Sequence, residues 1–410
     1  MVDAELQSRL AAAGAVVIEG PKACGKTETA RRRAASSVLL DVDDNARRAA
    51  AVDPGLLLDG AVPRLLDEWQ IEPVLWNHVR RAVDDRGAPG QFMLTGSSVP
   101  EDDLARHTGA GRFSFLRMRP MTLFESGHTS GAVSLTALLA GETPRGDDPG
   151  LTVRDLADRI ASGGWPAQQG RSVRGAARAA RDYLEQIREV DVARVAGTRR
   201  DPVRVGRLLQ SLARNVATEV GVSVLAADAG GADGPLDRHT VTEYLTILER
   251  LLIVEEQPAW APHLRSRATL RNSPKRHFVD PSLAVAALGA GPEQLLADLN
   301  LLGLLFESLV IRDLRVLAQP LDGRVLHYRD SYGVEADAIV QLADGRWAAF
   351  EIKLGAGLVE EGAASLRRFR EVIDTRKTGA PLALAVITGT GYGYRRPDGI
   401  DVIPIGALAP

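Results

Sequence analysis

The chain has 410 residues, a formal net charge of −3, 45% hydrophobic and 25% charged residues, and one cysteine. That length predicts two to three domains with their own cores, and the near-neutral balance excludes nucleic-acid binding by global charge, leaving only local patches. The lone Cys24 excludes an intrachain disulfide or a cysteine-clustered metal site. Residues Met1 to Gln7 lack the basic and apolar regions of a signal peptide, and no stretch approaches eighteen uncharged apolar residues. The expectation is a soluble cytoplasmic protein without membrane contact. Only five of the fifty basic residues are lysines, at 22, 26, 275, 353 and 377. In so arginine-rich a chain, a retained lysine is a candidate for work that needs a compact ammonium rather than a planar fork.

In chain order, a β-branched run from Ala15 to Glu19 leads into Gly20-Pro21-Lys22-Ala23-Cys24-Gly25-Lys26-Thr27-Glu28 and a helical continuation to Ala35. Strand, Gly-x4-Gly-Lys-Thr and helix is the context that a Walker A phosphate loop requires. Glycines let successive N–H groups face phosphate oxygens, Lys26 reaches the β- and γ-phosphates, and Thr27 ligates Mg²⁺. The expected ligands are therefore ATP and Mg²⁺, bound across Gly20 to Glu28, with Cys24 as a small packing residue.

A second strand is expected over Ser37 to Asp43 and a third over Ala61 to Asp67, ending in Asp67-Glu68. This pair fits a Walker B ending: Asp67 would hold Mg²⁺ and Glu68 would polarise the attacking water. At the end of the next strand, Gln91 to Thr95, the Thr95 hydroxyl would orient that water, whereas Ser97 and Ser98 fit helix caps equally well. Arg112 precedes the run Phe113 to Met118 and is either a finger acting on a neighbouring subunit's nucleotide, which needs a homo-oligomer, or an ion-paired surface side chain.

Gly20 to Thr27, Arg64-Leu-Leu-Asp-Glu-Trp-Gln70, Leu94 to Ser98, Gly111-Arg112 and Arg119 to Glu125 together resemble the AAA+-type ATPase domain of a large prokaryotic family. Its members join that domain to a C-terminal domain of unknown function. The resemblance implies an ATP-binding, five-stranded parallel sheet. Leu-Asp-Glu-Trp-Gln stands where the family usually has Ile-Asp-Glu-Ile-Gln, which keeps both carboxylates.

Gly127 to Gly150 is rich in breakers and reads as a loop excursion, Leu151 to Ile160 as a helix, and Ser172 to Val195 as one long amphipathic helix. Between them, Gly163-Gly-Trp-Pro166 resembles a Gly-Gly-x-Pro turn of the same family. Over 201–285 the reading is a helix from Val203 to Val220, a short segment at Val222, a helix from Asp237 to Leu252 and a strand from Ile253 to Gln257. This is the order of a winged helix, whose last helix could enter a major groove. Its glutamates and sparse basic charge also suit protein contacts.

In the C-terminal third, Glu307 lies in an amphipathic helix from Asn300 to Leu317, and an Asp-Gly turn at Ala343 to Gly345 separates Val334–Leu342 from Trp347–Lys353. Such a hairpin places Asp337 beside Glu351 and Lys353, and period-two alternation puts the latter two on one face. Two carboxylates and a lysine can bind Mg²⁺ and position water for attack on a phosphodiester. The set resembles the PD-(D/E)XK nuclease core, and Glu307 matches the helical acid that some members add. This implies metal ligands Glu307, Asp337 and Glu351, a catalytic Lys353, and DNA or RNA as substrate. The alternative is a salt-bridged strand pair in a nuclease-like fold that no longer cuts. Leu366 to Arg370 is a basic helical stretch, and Leu382–Thr388 and Asp401–Ile405 complete the expected sheet.

The predicted class is α/β: an AAA+-like P-loop sheet (1–126), a helical lid and connecting helices (127–200), a winged-helix-like segment (201–285) and a nuclease-like α/β domain (286–410). The expected function is ATP hydrolysis, with Lys26, Glu68, Thr95 and Arg112 in the machinery, coupled to a domain that binds or cuts nucleic acid. One alternative is an ATP-dependent regulatory module without nuclease activity. A small-molecule P-loop kinase fits less well, because Asp67-Glu68 suits water activation better than transfer to a substrate hydroxyl.

Overall fold

The computed structural model describes residues 1–97, 108–196, 201–262 and 273–410, so Ser98 lies outside the described residues. The chain forms two compact units: Met1–Pro120 with Ile247–Leu252, and Met121–Thr246 with Ile253–Pro410. Among the described residues, no helix is long and apolar enough to cross a membrane.

The first unit is built on five parallel strands, β1 (Ala15–Glu19), β2 (Ser36–Leu39), β3 (Arg64–Asp67), β4 (Phe92–Gly96) and β5 (Phe113–Arg117), in the order β2-β3-β4-β1-β5. Alternate residues point to opposite faces. Val16, Ile18, Leu65 and Met93 cluster with Leu6 and Leu10 of α1 (Val2–Ala12) and Ala30 of α2 (Lys26–Arg31). Val17, Leu66, Phe92 and Leu94 cluster with Ala46 and Ala50 of α3 (Asp44–Val52) and Trp76 and Val79 of α4 (Leu75–Arg86). Cover on both faces explains why the strands read as near-continuous apolar runs rather than alternating ones. Strand β2 stops at Leu39, short of the expected Asp43, because the Asp43 carboxylate caps α3 by accepting from the Ala46 N–H at 2.9 Å. Parallel strands bring all five C-terminal ends to one edge, where an open α/β sheet places ligands.

The second unit opens with β6 (Val133–Ser134) and α5 (Leu135–Leu139), so the stretch expected as a loop holds short elements, β6 being parallel to the distant β15 (Leu408–Ala409). Helices α6 (Val153–Ser162), α7 (Val173–Gln186) and α8 (Val192–Ala196) follow. A π-helical turn at Ile187–Asp191 interrupts the single long helix expected there. Next come α9 (Pro202–Arg214), α10 (Val222–Gly230), α11 (Arg238–Arg250), whose residues from Ile247 on belong to the first unit, and an antiparallel pair, β7 (Val254–Gln257) and β8 (Lys275–Phe278). Two short helices, α12 (Pro281–Ala287) and α13 (Pro292–Ala297), lead to α14 (Leu299–Ala318). The remaining chain builds a six-stranded sheet from β9 (Arg324–Arg329), β10 (Glu335–Gln341), β11 (Trp347–Lys353), β12 (Leu384–Thr388), β13 (Tyr394–Arg395) and β14 (Asp401–Pro404), with α15 (Val359–Val372) after β11. Strands β9, β10 and β11 are antiparallel, and β12 then runs parallel to β11 across the α15 connection. Trp260, Trp347 and Phe369 pack in one aromatic cluster, the two indoles 4.8 Å apart between centroids.

The Gly163-Gly164 turn has a packing cause. A Cβ on Gly164 would lie 2.0 Å from the Met121 carbonyl oxygen, and one on Gly163 would lie 2.4 Å from Ser282 Oγ. The Gly164 N–H donates to Asp280 Oδ2 at 3.0 Å, and its carbonyl accepts from the Met121 N–H at 2.7 Å. The backbone must move before any side chain enters. Gly164→Ala is therefore expected to destabilise the second unit by roughly 1–3 kcal/mol, the range of a strained backbone site. Calorimetric unfolding checks this, and a transition that stays at its wild-type temperature would contradict it.

Candidate functional site

The nucleotide candidates converge where β1, β3 and β4 end. Gly25 adopts φ +101° and Ala23 +62°, turns that curl the loop, and the N–H groups of Ala23, Cys24 and Gly25 donate to no backbone carbonyl among the described residues. Lys26 is 5% exposed, and its Nζ donates to the Gly20 and Pro21 carbonyls at 3.0 and 2.8 Å. A left-handed loop ahead of a lysine held, among the described residues, by neutral carbonyls fits a phosphate chain. Gly20 has no room for a side chain, since a Cβ there would lie 2.6 Å from the Met118 carbonyl and 2.8 Å from Cys24 Sγ. Burial pushes the Cys24 thiol up despite the nearby Lys26, so Cys24 belongs to the inert, packed class of thiols. Lys22 and Glu28 flank the loop, the latter exposed and pairing with Arg31 at 3.3 Å.

Asp67 is the hub of this edge. Its carboxylate accepts from Thr27 Oγ1 at 2.9 and 3.2 Å and from Thr95 Oγ1, which β4 delivers from its position between β1 and β3. This joins the three residues expected to arrange Mg²⁺ and water. The pattern fits a hydrated Mg²⁺ held by Thr27 and Asp67, because a hydroxyl and a carboxylate oxygen on adjacent elements are hard oxygen donors. Glu68 has a left-handed backbone, φ +56°, and its carboxylate accepts from Gln70 Nε2 and, at 3.3 Å, from Ser97 Oγ. A non-glycine residue in this conformation is strained, and such strain concentrates at working sites.

Arg112 stands apart. It precedes β5, and Phe113 aligns with Ala15 at the start of β1, roughly 13 Å along the strand from the loop edge. Its guanidinium pairs with Asp84 at 2.8 Å. The structure thus does not bring Arg112 to the nucleotide edge of its own unit. The arginine that β5 does send there is Arg117, level with Glu19 and close enough to oppose the rise of the Cys24 thiol. A strand direction read from the motif would have singled it out.

In the second unit, Glu307 on α14, Asp337 on β10 and Glu351 on β11 come together, as the hairpin reading expected of the last two. Register slips between Ala336 and Ile339 opposite β9, an irregularity that aims Asp337 inward, where its Oδ2 accepts from the Ile352 N–H at 2.9 Å. Glu351 accepts from Ser365 Oγ at 3.1 Å and pairs with Lys353 at 3.3 Å, while Lys353 also meets Glu361 at 3.3 Å. Sequence reasoning missed Lys275. Its Nζ lies 2.7 Å from Glu307 Oε1 and 3.5 Å from Asp337 Oδ1.

That ammonium changes the chemistry. Burial, followed by the neighbouring Asp337, pushes the Glu351 carboxyl up to about 8, against the pull of Lys353. Burial likewise pushes Glu307 to about 7, against the pull of Lys275. Burial works to lower Lys275, but Glu307 and then Asp337 outweigh it and hold the ammonium charged. A dication against the same carboxylates would be repelled by that ammonium. Among the described residues, no group of three or more His, Cys, Asp or Glu side chains is placed to hold a metal ion. Lys275 thus lies between Glu307 and Asp337, two of the three carboxylates expected to hold Mg²⁺.

Residues 12–126 match a family described as an AAA domain, 153–294 match a domain of unknown function (DUF8612), and 302–408 match a second domain of unknown function (DUF4143). No curated protein matches the chain. The N-terminal part is thus similar to AAA-type P-loop ATPase domains, and ATP binding on a mixed α/β framework is what that similarity indicates.

Proposed function

We propose that the chain is a Mg-ATP-dependent ATPase whose first unit hydrolyses ATP and whose second unit is a nuclease-related binding module that does not cut. The carrying observation is the convergence of Lys26, Thr27, Asp67 and Thr95 at one sheet edge. Backbone donors of the loop and the Lys26 ammonium bind the triphosphate and stabilise charge that builds on it during transfer. Mg²⁺, held by Thr27 and Asp67, supplies charge neutralisation of the phosphates. Glu68, fixed by Gln70 and Ser97, accepts the proton of the attacking water, and Thr95 orients that water through its hydroxyl.

For the second unit, the salt-bridged acid cluster favours binding over cleavage. Helices α9 to α11 followed by the β7/β8 pair support a winged-helix-like reading of 201–285. On α11, Glu243 and Glu249 offset Arg238 and Arg250, which suits a protein partner better than a phosphate backbone. We propose that ATP occupancy sets this unit's affinity for such a partner.

Phosphate release tests the first half. Lys26→Ala and Glu68→Gln are each expected to lower kcat by about 10²-fold or more, with Glu68→Gln still binding ATP. Thr95→Val should lower kcat with little change in KM, and Arg112→Ala should leave turnover of the monomer unchanged. Equal release from wild type, Lys26→Ala and Glu68→Gln would remove the proposal. For the second half, plasmid, single-stranded DNA and RNA incubated with the protein in Mg²⁺ or Mn²⁺ should stay intact. Cleavage that disappears in both Asp337→Ala and Lys353→Ala would restore the nuclease reading.

A further inference from the structure

We propose that Lys275 is the resident cation of the acid cluster: its ammonium fills the place between Glu307 and Asp337 that a divalent ion would need, so the wild-type cluster excludes Mg²⁺ and Mn²⁺ and loss of Lys275 opens a divalent-cation site there.

The first support is occupancy. Glu307 Oε1 and Asp337 Oδ1 face the ammonium, Asp337 Oδ2 faces the Ile352 N–H, and the two Glu351 oxygens face Ser365 and Lys353. The cluster's carboxylates are thus bound by protein donors. Metal would have to displace these partners, and Mg²⁺ in particular demands near-octahedral oxygen geometry.

The second support is how firmly Lys275 is placed. Lysine is almost never buried unless paired, yet this one is 9% exposed. Strand β8 sets Lys275 opposite Gln257 of β7. The Gln257 amide donates to the Asp337 carbonyl at 2.9 Å and the Leu326 carbonyl at 3.0 Å, tying the β7/β8 pair to β9 and β10. On the other side, Gln257 Oε1 meets His277 Nε2 at 2.9 Å, and His277 Nδ1 meets Ser308 Oγ at 3.2 Å, one residue from Glu307. An amide oxygen can only accept, so Nε2 carries the imidazole proton and Nδ1 accepts from the hydroxyl. This chain of bonds clamps both sides of the lysine.

The third support is residue choice. The chain uses lysine five times and arginine everywhere else a cation will serve. An arginine fork would engage one carboxylate in two parallel bonds, whereas a compact ammonium can lie between two carboxylates from different elements, as an ion does.

Mn²⁺ binding to the full-length, nucleotide-free protein decides this, read by electron paramagnetic resonance of the free ion. Wild type and Asp337→Asn should bind the same amount, whereas Lys275→Met, which keeps the apolar stem, should gain one equivalent of site at least tenfold tighter than any in wild type. Adding Asp337→Asn should abolish the gained site. Asp67 is intact in every variant and no nucleotide is present, so the outcome is independent of the ATPase reading. A folded Lys275→Met protein, with its wild-type circular dichroism, that gains no site overturns the proposal. So does a wild-type site lost in Asp337→Asn, and that comparison decides the matter even where Lys275→Met does not fold.

Discussion

The second unit depends on a helix that has no outside. From Leu302 to Ala318, α14 is buried on almost every face, and the buried set includes Glu307, Ser308, Arg312, Asp313 and Arg315. An ionised side chain taken out of water costs several kcal/mol unless another group compensates it. Each of these finds its partner on a different element. Glu307 meets Lys275 of β8, Arg315 meets Glu255 of β7 at 2.9 Å, and Arg312 meets Asp280, the cap of α12, at 2.7 Å. Asp313 binds the adjacent Arg312 and accepts from the Leu123 N–H at 3.0 Å. Paired charge thus links α14 to β7, β8, α12 and the segment after Pro120, and removing one partner would leave a costly buried ion. The same segment explains why this unit begins at Met121: Met121 and Leu123 donate their N–H groups to the Gly164 carbonyl and the Asp313 carboxylate.

Within that unit the acid cluster holds more carboxyls than ammonium groups: Glu307 and Asp337 face Lys275, and Glu351 and the exposed Glu361 face Lys353. Raised values for Glu307 and Glu351, about 7 and 8, mean that the fold holds a proton there which the unfolded chain would release near pH 4.3. Because the folded chain binds more protons here than the unfolded chain, this contribution to stability is full below the ordinary carboxyl value and is lost as pH rises through 7 to 8. A cluster arranged this way stores a proton and two ammonium groups, which is consistent with a structural and positioning role.

How much of this the residues themselves reveal depends on the range of each interaction. The phosphate loop and the Asp67-Glu68 ending are local patterns tied to strand ends, and a parallel sheet brings such ends together without further information. The Asp337, Glu351 and Lys353 trio is nearly as local, since one hairpin aligns it. Lys275 lies far from that hairpin in the chain, and only the docking of β8 through Gln257 brings it in, a contact with no periodicity to betray it. The scarcity of lysine was the available signal, and it applied to Lys275 as much as to Lys26 and Lys353. Arg112 was legible in another way: preceding β5, it has to lie at the edge opposite the loop once all five strands run parallel.

The two most buried lysines show why the same side chain serves two ends. Lys26 is held by the carbonyls of Gly20 and Pro21, which use two of its three donors and leave its charge uncancelled. Lys275 is held by two carboxylates, which cancel its charge and have theirs cancelled in turn. An ammonium surrounded by neutral dipoles attracts an anion; one surrounded by carboxylates has no further field to offer. The nucleotide edge is thus electrostatically open, whereas the acid cluster is closed. The nucleotide edge presents an ammonium held by neutral carbonyls, a setting suited to a phosphate chain.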